Sequence, residues 1–365
     1  MSRGSITELE FLRKLQRLLN EADFTATYKF ALLNALADLS VEGEIAVDSS
    51  LSVPVDAIAE KFIEYYWSQA RPYCATEGKG FVLRQSTGRQ AFVISCVRSL
   101  QAVGAQSIAA ARATSGWQRQ VRKVAANVKT MPLWKLQKVG SDSDEFLYRK
   151  SEYAAGSIRL LPGVPSAFRS LYGLVLDAVR GAWVRQVNRI SANRAVLADS
   201  DLTSFLFGSV RGSLAPFTRI LRDHQRGRCL YCRRAIRSGS DVDHFIAWSR
   251  YPADLGHNLV LAHPRCNSDK RDFLAHPRHL ERWFRSNIER GSELAERLNA
   301  AKLLHDEERT RAITWWAYEQ GEAARAHAWI RGSELAQLDS GWRGALSGPM
   351  LEKVAEREPP DYVSD

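Results

Sequence analysis

The chain has 365 residues, 45% of them hydrophobic, which is enough for two or three domains with packed cores. No apolar run approaches the roughly 18 to 20 residues that a bilayer demands, and the opening "MSRGSITELEFLRKLQ" carries charges where a signal peptide needs an apolar stretch, so the expected class is a cytoplasmic protein without membrane spans. The formal charge of +10, from 51 Lys and Arg against 41 Asp and Glu, favours polyanionic partners, because each phosphate neutralised by a cation releases condensed counterions.

Residues 1–200 read mostly as helices. In "YKFALLNALADL", Phe30, Leu33, Leu36 and Leu39 recur at helical spacing, and Val55, Ile58, Phe62 and Tyr66 do so after Pro54, a residue suited to a first helical turn. The stretch "RQSTGRQAFVISCV" reads as either strand or helix. A long helical pattern follows Pro165, with Ser166 as N-cap and Phe168, Leu171, Val175 and Ala178 on one face. From Gly78 to Ser141 there is no acidic residue, while Lys79, Arg84, Arg119, Arg122, Lys123 and Lys138 are among the bases. Such a one-sign stretch is either a solvated face answered elsewhere or a surface for a polyanion, and Arg119, Arg122 and Lys123 are its candidate contacts.

Residues 201–275 change to short elements punctuated by Gly, Ser and Pro. Residues 276–355 return to a helical pattern through "HPRHLERWFRSN", "SELAERLNAAKLL" and "TRAITWWAYEQGEAARAHAWI", and the polar end 356–365 is expected to be disordered. Trp315, Trp316 and Trp329 in this extension either pack on the preceding module or form a dimer surface. There is no internal repeat.

Five cysteines in such a chain argue for thiols or metal ligands rather than a disulfide scaffold. Cys74 and Cys96 read as small core residues. Cys229 and Cys232 form a C-x-x-C, and His263 and Cys266 form an H-x-x-C after a gap of about thirty residues. Two ligand pairs of this kind close a tetrahedral Zn²⁺ site with three thiolates and one imidazole. All four positions come from protein, so this zinc is structural, and chemistry must come from other residues nearby.

Those residues carry a resemblance. The segment "GRCLYCRRAIRSGSDVDHFIAWSRYPADLGHNLVLAHPRCNSDKRDF" resembles the HNH endonucleases, with a C-x-x-C, an Asp-His, an Asn-Leu and a second zinc pair opening a helix, in that order. It implies a mainly α protein bearing a small, zinc-stapled ββα-metal nuclease module at 201–275, set between the helical N-terminal region and the helical C-terminal extension. By the same resemblance His244 is the general base, Asp243 and Asn267 ligate a catalytic Mg²⁺ or Mn²⁺, Asn258 braces the loop, and Lys270 stands near the phosphate. The sequence departs from the family pattern at Ala247, where a proline is usual, and at His263, where a cysteine is more common.

The chemistry is consistent with that reading. Phosphodiester hydrolysis needs a base near neutrality and a cation beside the departing oxygen, and a carboxylate with an amide carbonyl suits a hard cation. Asn267 and Lys270, three apart, share a helix face. Adjacent strand residues point to opposite faces, so an irregularity is expected at Asp243 and His244. His224 and His257 read as loop or phosphate-contacting residues. Arg226, Arg228, Arg233 and Arg234, with further arginines around the first knuckle against the single acid Asp223, form an electropositive rim suited to nucleic-acid backbone. DNA is the expected substrate, with RNA or a merely binding zinc module as alternatives. Family association adds a defence or restriction setting with protein partners.

Overall fold

The computed structural model describes residues 5–73, 80–197, 202–208 and 214–346. Cys74, Lys79 and the polar end 356–365 lie outside the described residues. The chain divides into two compact units, Met1–Gly212 and Ser213–Asp365.

The first unit is mainly helical: α1 (Glu8–Glu21), α2 (Tyr28–Glu42), α3 (Val55–Gln69), α4 (Phe92–Ala102), α5 (Ile108–Arg112), α6 (Trp117–Thr130), α7 (Val164–Ser170), α8 (Tyr172–Arg189) and α9 (Leu202–Phe207). Two short antiparallel pairs accompany them, β1 (Leu51–Pro54) with β4 (Ser157–Leu160), and β2 (Lys138–Val139) with β3 (Asp142–Ser143). Helix α2 is buried on nearly every side, as a helix apolar all round must be, and packs on α3, α7 and α8. Phe11, Phe30, Phe62, Tyr66, Phe168 and Trp183 fill the core around it.

The ambiguous stretch 84–97 is loop as far as Ala91 and enters helix α4 at Phe92, with Cys96 buried in it. Pro54 does not enter the helix; it ends β1 and caps α3. The pattern after Pro165 is two helices broken at Leu171, and Ser166 lies inside α7. The cap there is Gly163 at φ +86°, where a Cβ would run into Ser5 and Ile6, so backbone closeness selects glycine. In α6, Val121, Val124 and Val128 face inward, while Arg119, Arg122 and Lys123 are exposed.

The second unit begins with α10 (Ala215–His224) and the cysteine knuckle. Strand β5 (Asp241–His244) then pairs antiparallel with β6 (Leu259–Ala262), and α11 (Pro264–Lys270) follows directly. The remainder holds β7 (Leu274–Ala275), α12 (Pro277–Trp283), a π-helical turn at Phe284–Ile288, α13 (Gly291–Ala300), α14 (Glu307–Ala323), β8 (His327–Arg331), β9 (Glu334–Gln337) and α15 (Trp342–Leu346). The helical pattern expected to run through Ile330 therefore stops at Ala323. His327–Arg331 is instead the middle strand of a three-stranded sheet, parallel to β7 and antiparallel to β9. Trp316 and Trp329 are buried and the half-buried Trp315 packs edge-on against Trp342, so all three indoles make packing contacts within their own unit.

Candidate functional site

Four ligand atoms, from Cys229, Cys232, His263 and Cys266, lie within 4.8 Å of one another. The donor set fits a zinc ion, which these four residues could hold. His263 Nδ1 lies 3.2 Å from the Cys232 sulfur, while its Nε2 is 3.3 Å from the Ala235 carbonyl, which accepts the ring proton and keeps Nδ1 free to ligate. Burial pushes the Cys229 thiol up, and burial with the neighbouring Cys229 and Cys232 sulfurs pushes Cys266 up too. Three crowded thiols resist ionising together unless a cation takes their charge. Arg233 turns the knuckle at φ +64°. The side chains of Arg226, Arg228, Arg233 and Arg234 are all exposed around it.

Strand β5 and helix α11 meet by matched periodicities. Asp241 and Asp243, two apart on one strand face, stand against Asn267 and Lys270, three apart on one helix face. Asn267 donates through Nδ2 to Asp241 at 3.0 Å. Lys270 lies 3.2 Å from Asp243 Oδ2 and donates to the His244 carbonyl at 3.0 Å. The Tyr231 hydroxyl donates to the same Asp243 oxygen at 2.5 Å, and burial followed by the nearby Asp243 charge keeps that phenol protonated. Both donors therefore converge on Oδ2.

Lys270 requires a correction. Its side chain is 0% exposed, so it offers no ammonium to a phosphate; it compensates the buried Asp243 carboxylate and ties it to the backbone of His244. The expected irregularity in β5 is absent as well. Pairing stays regular through His244↔Leu259, and the strand simply ends there, with Asp243 and His244 served by different neighbours.

Asn258 grips the loop after β5 at one residue: its Oδ1 accepts from the Ile246 N–H at 2.8 Å and its Nδ2 donates to the Ile246 carbonyl at 3.0 Å. His244 is flanked by Asp254, whose Oδ1 is 2.8 Å from its Nε2, and by the edge of the Trp248 ring, with centroids 5.3 Å apart. Sequence reasoning missed Tyr231, Asp241, Trp248 and Asp254. The only available signal was for Asp241, in register with Asp243 in "DVDH". His224 and His257 are buried, with Nε2 on the carbonyls of Ser286 and Gly291, so neither is a phosphate contact.

A strand pair, a helix and a Cys₃His cluster around an Asp-His dipeptide describe a nuclease class, and residues 229–273 match the HNH endonuclease family model. Residues 8–206 match the model described as a domain of unknown function (DUF8808), and the chain belongs to that family. No curated protein and no solved structure matches the chain. The HNH match makes this a nuclease, a hydrolase with a nucleic-acid substrate. Among the described residues no helix is long and apolar enough to cross a membrane.

Proposed function

We propose that the chain is a metal-dependent endonuclease that hydrolyses phosphodiester bonds in DNA, cutting one strand per binding event with His244 as base. The observation that supports this most is the state of His244. An imidazole Nε2 can serve a carboxylate only as a donor, so the hydrogen bond to Asp254 leaves the Nδ1 lone pair to take a proton from water.

Asp243 and Asn267 would hold a Mg²⁺ or Mn²⁺ ion. Asp243 spends Oδ2 on Tyr231 and Lys270, and Asn267 spends its amide N–H on Asp241, which leaves Oδ1 of each as a hard oxygen donor. Such an ion supplies positive charge beside the oxygen that departs. Lys270 holds Asp243 for this task, and Asn258 fixes the loop that follows His244. The exposed arginines at the knuckle, Arg226, Arg228, Arg233 and Arg234, would hold the phosphate backbone, and the exposed Arg119, Arg122 and Lys123 on α6 form a second backbone contact.

The test is incubation of the full chain with plasmid DNA and Mg²⁺, beside His244→Ala. Cleavage by the wild type and none by the variant, at equal zinc content and DNA affinity, is the expected result. Equal cleavage by both would remove His244 from the chemistry.

A further inference from the structure

The segment after β5 is held unusually firmly for a loop. Phe245 stacks on Trp283 with centroids 5.0 Å apart, Ile246 is gripped at both backbone groups by Asn258, and the N–H groups of Arg250 and Tyr251 both reach the Ala247 carbonyl. Phe245, Ile246 and Ala247 are buried. Trp248, next in line, is half-buried on this fixed turn.

Trp248 differs from the core indoles of its unit. Trp283, Trp329 and Trp342 are buried, and each donates its Nε1 hydrogen to a protein acceptor, His257, Gly332 and Glu322 respectively. Trp248 has, among the described residues, one ring contact, the edge-on approach to His244 at 65°, and no hydrogen bond. The position therefore keeps part of an indole and its ring N–H in reach of solvent beside the imidazole.

We infer that Trp248 is a specificity-determining residue that stacks on a nucleotide flanking the scissile phosphate, so that the preferred substrate is a DNA strand that is unpaired at the cut. The inference rests on the nuclease reading of His244. If the phosphate is attacked at His244, the neighbouring sugar and base lie within one ring's reach of the indole. In an intact duplex both faces of that base are covered by its stacked neighbours and the indole finds no partner. In a single strand, flap or bubble the base face is open, and stacking on an aromatic side chain is tolerant of sequence.

The experiment separates binding from cutting. Anisotropy of a labelled 20-nucleotide single strand and of its duplex is measured with full-length His244→Ala protein, alone and combined with Trp248→Leu or Trp248→Phe, and cleavage of the same DNAs is measured with His244 intact. Leu keeps apolar bulk against the imidazole but cannot stack. The expected result is about ten- to a hundredfold weaker single-strand binding for Trp248→Leu, unchanged duplex binding, and recovery of most of the loss in Trp248→Phe. In cleavage, KM on the single strand should rise while kcat stays within about threefold, the split expected of a binding contact. Equal losses on both DNAs, or a fall in kcat alone, would overturn the inference and make Trp248 a packing residue for His244. Wild-type protein that shows the Trp248-dependent preference yet cuts neither DNA would leave the strand preference standing and defeat the nuclease reading.

Discussion

Asp254 holds the His244 imidazole from a position ten residues further along the chain, Oδ1 to Nε2 at 2.8 Å, with both side chains partly enclosed. The contact fixes ring orientation and tautomer together. Asp254→Ala should therefore lower kcat about ten- to a hundredfold, a share of the roughly 10²- to 10⁴-fold that a positioned base contributes. KM and zinc content should stay near wild type. A KM increase with unchanged kcat would instead make Asp254 a substrate contact.

Zinc removal should act on one unit of the chain. Metal binding free energy is folding free energy where the ligands are crowded thiols, and the four ligands all lie within Ser213–Asp365. Chelation, or Cys229→Ser, is expected to melt that unit at lower temperature and to leave a second transition from Met1–Gly212 in place. One zinc per chain by metal analysis is the companion result. Unchanged melting after complete zinc loss would count against a structural site.

Acid should weaken the second unit through its buried histidines. Burial pushes His279 down to about 4 and also lowers His224 and His257. His279 stays neutral because Nδ1 accepts from Arg282 and Nε2 donates to the Ile330 carbonyl, so an added proton would face a guanidinium. A depressed histidine has no linkage effect above its unfolded value near 6.5. Between about pH 6.5 and pH 4 the unfolded chain takes up protons that the folded ring refuses, and stability falls; below that it levels off. His279 alone accounts for up to about 3 kcal/mol of this. Urea unfolding at pH 7, 5.5 and 4.5 measures it, and His279→Gln should flatten the fall.

The metal knuckle was legible in the sequence because tetrahedral ligation forces pairs of ligands to a fixed spacing, and Cys229, Cys232, His263 and Cys266 do converge. Asp254 was not legible, since a loop can return a carboxylate to a histidine from many separations and spacing carries no mark of it. For Lys270, an i, i+3 relation to Asn267 predicts a shared face but not depth along it, and the end of a short helix pressed on β5 is buried. Strand β8 was hidden by continuity: "EAARAHAWI" keeps helical composition, and the break falls at Arg325, which takes φ +50° where a glycine would have announced the turn. For α6 the sequence showed a run of bases, while the apolar face of Val121, Val124 and Val128 that turns those bases outward came from the structure.

The exposed bases of α6 give a test of the first unit. Arg119→Glu with Arg122→Glu and Lys123→Glu should weaken DNA binding across all sequences and flatten the slope of log affinity against log salt by about one for each phosphate no longer neutralised. Folding should be unaffected, because all three side chains point away from the Val121, Val124 and Val128 face. Unchanged affinity and slope would return α6 to an ordinary solvated face.

The number of strands cut follows from the inventory of the site. The zinc-bearing segment 229–266 carries one Asp-His dipeptide, Asp243-His244, and the described residues hold one Cys₃His cluster, so one copy has one base for one phosphate. A monomer should then break one strand per encounter, and a double-strand break needs a second nick opposite the first or a symmetric pair of copies. On supercoiled plasmid the open circle should accumulate well before any linear form, at a rate first order in protein. Linear DNA from the earliest time points, without a nicked precursor and with sedimentation as a dimer, would show that two copies act together.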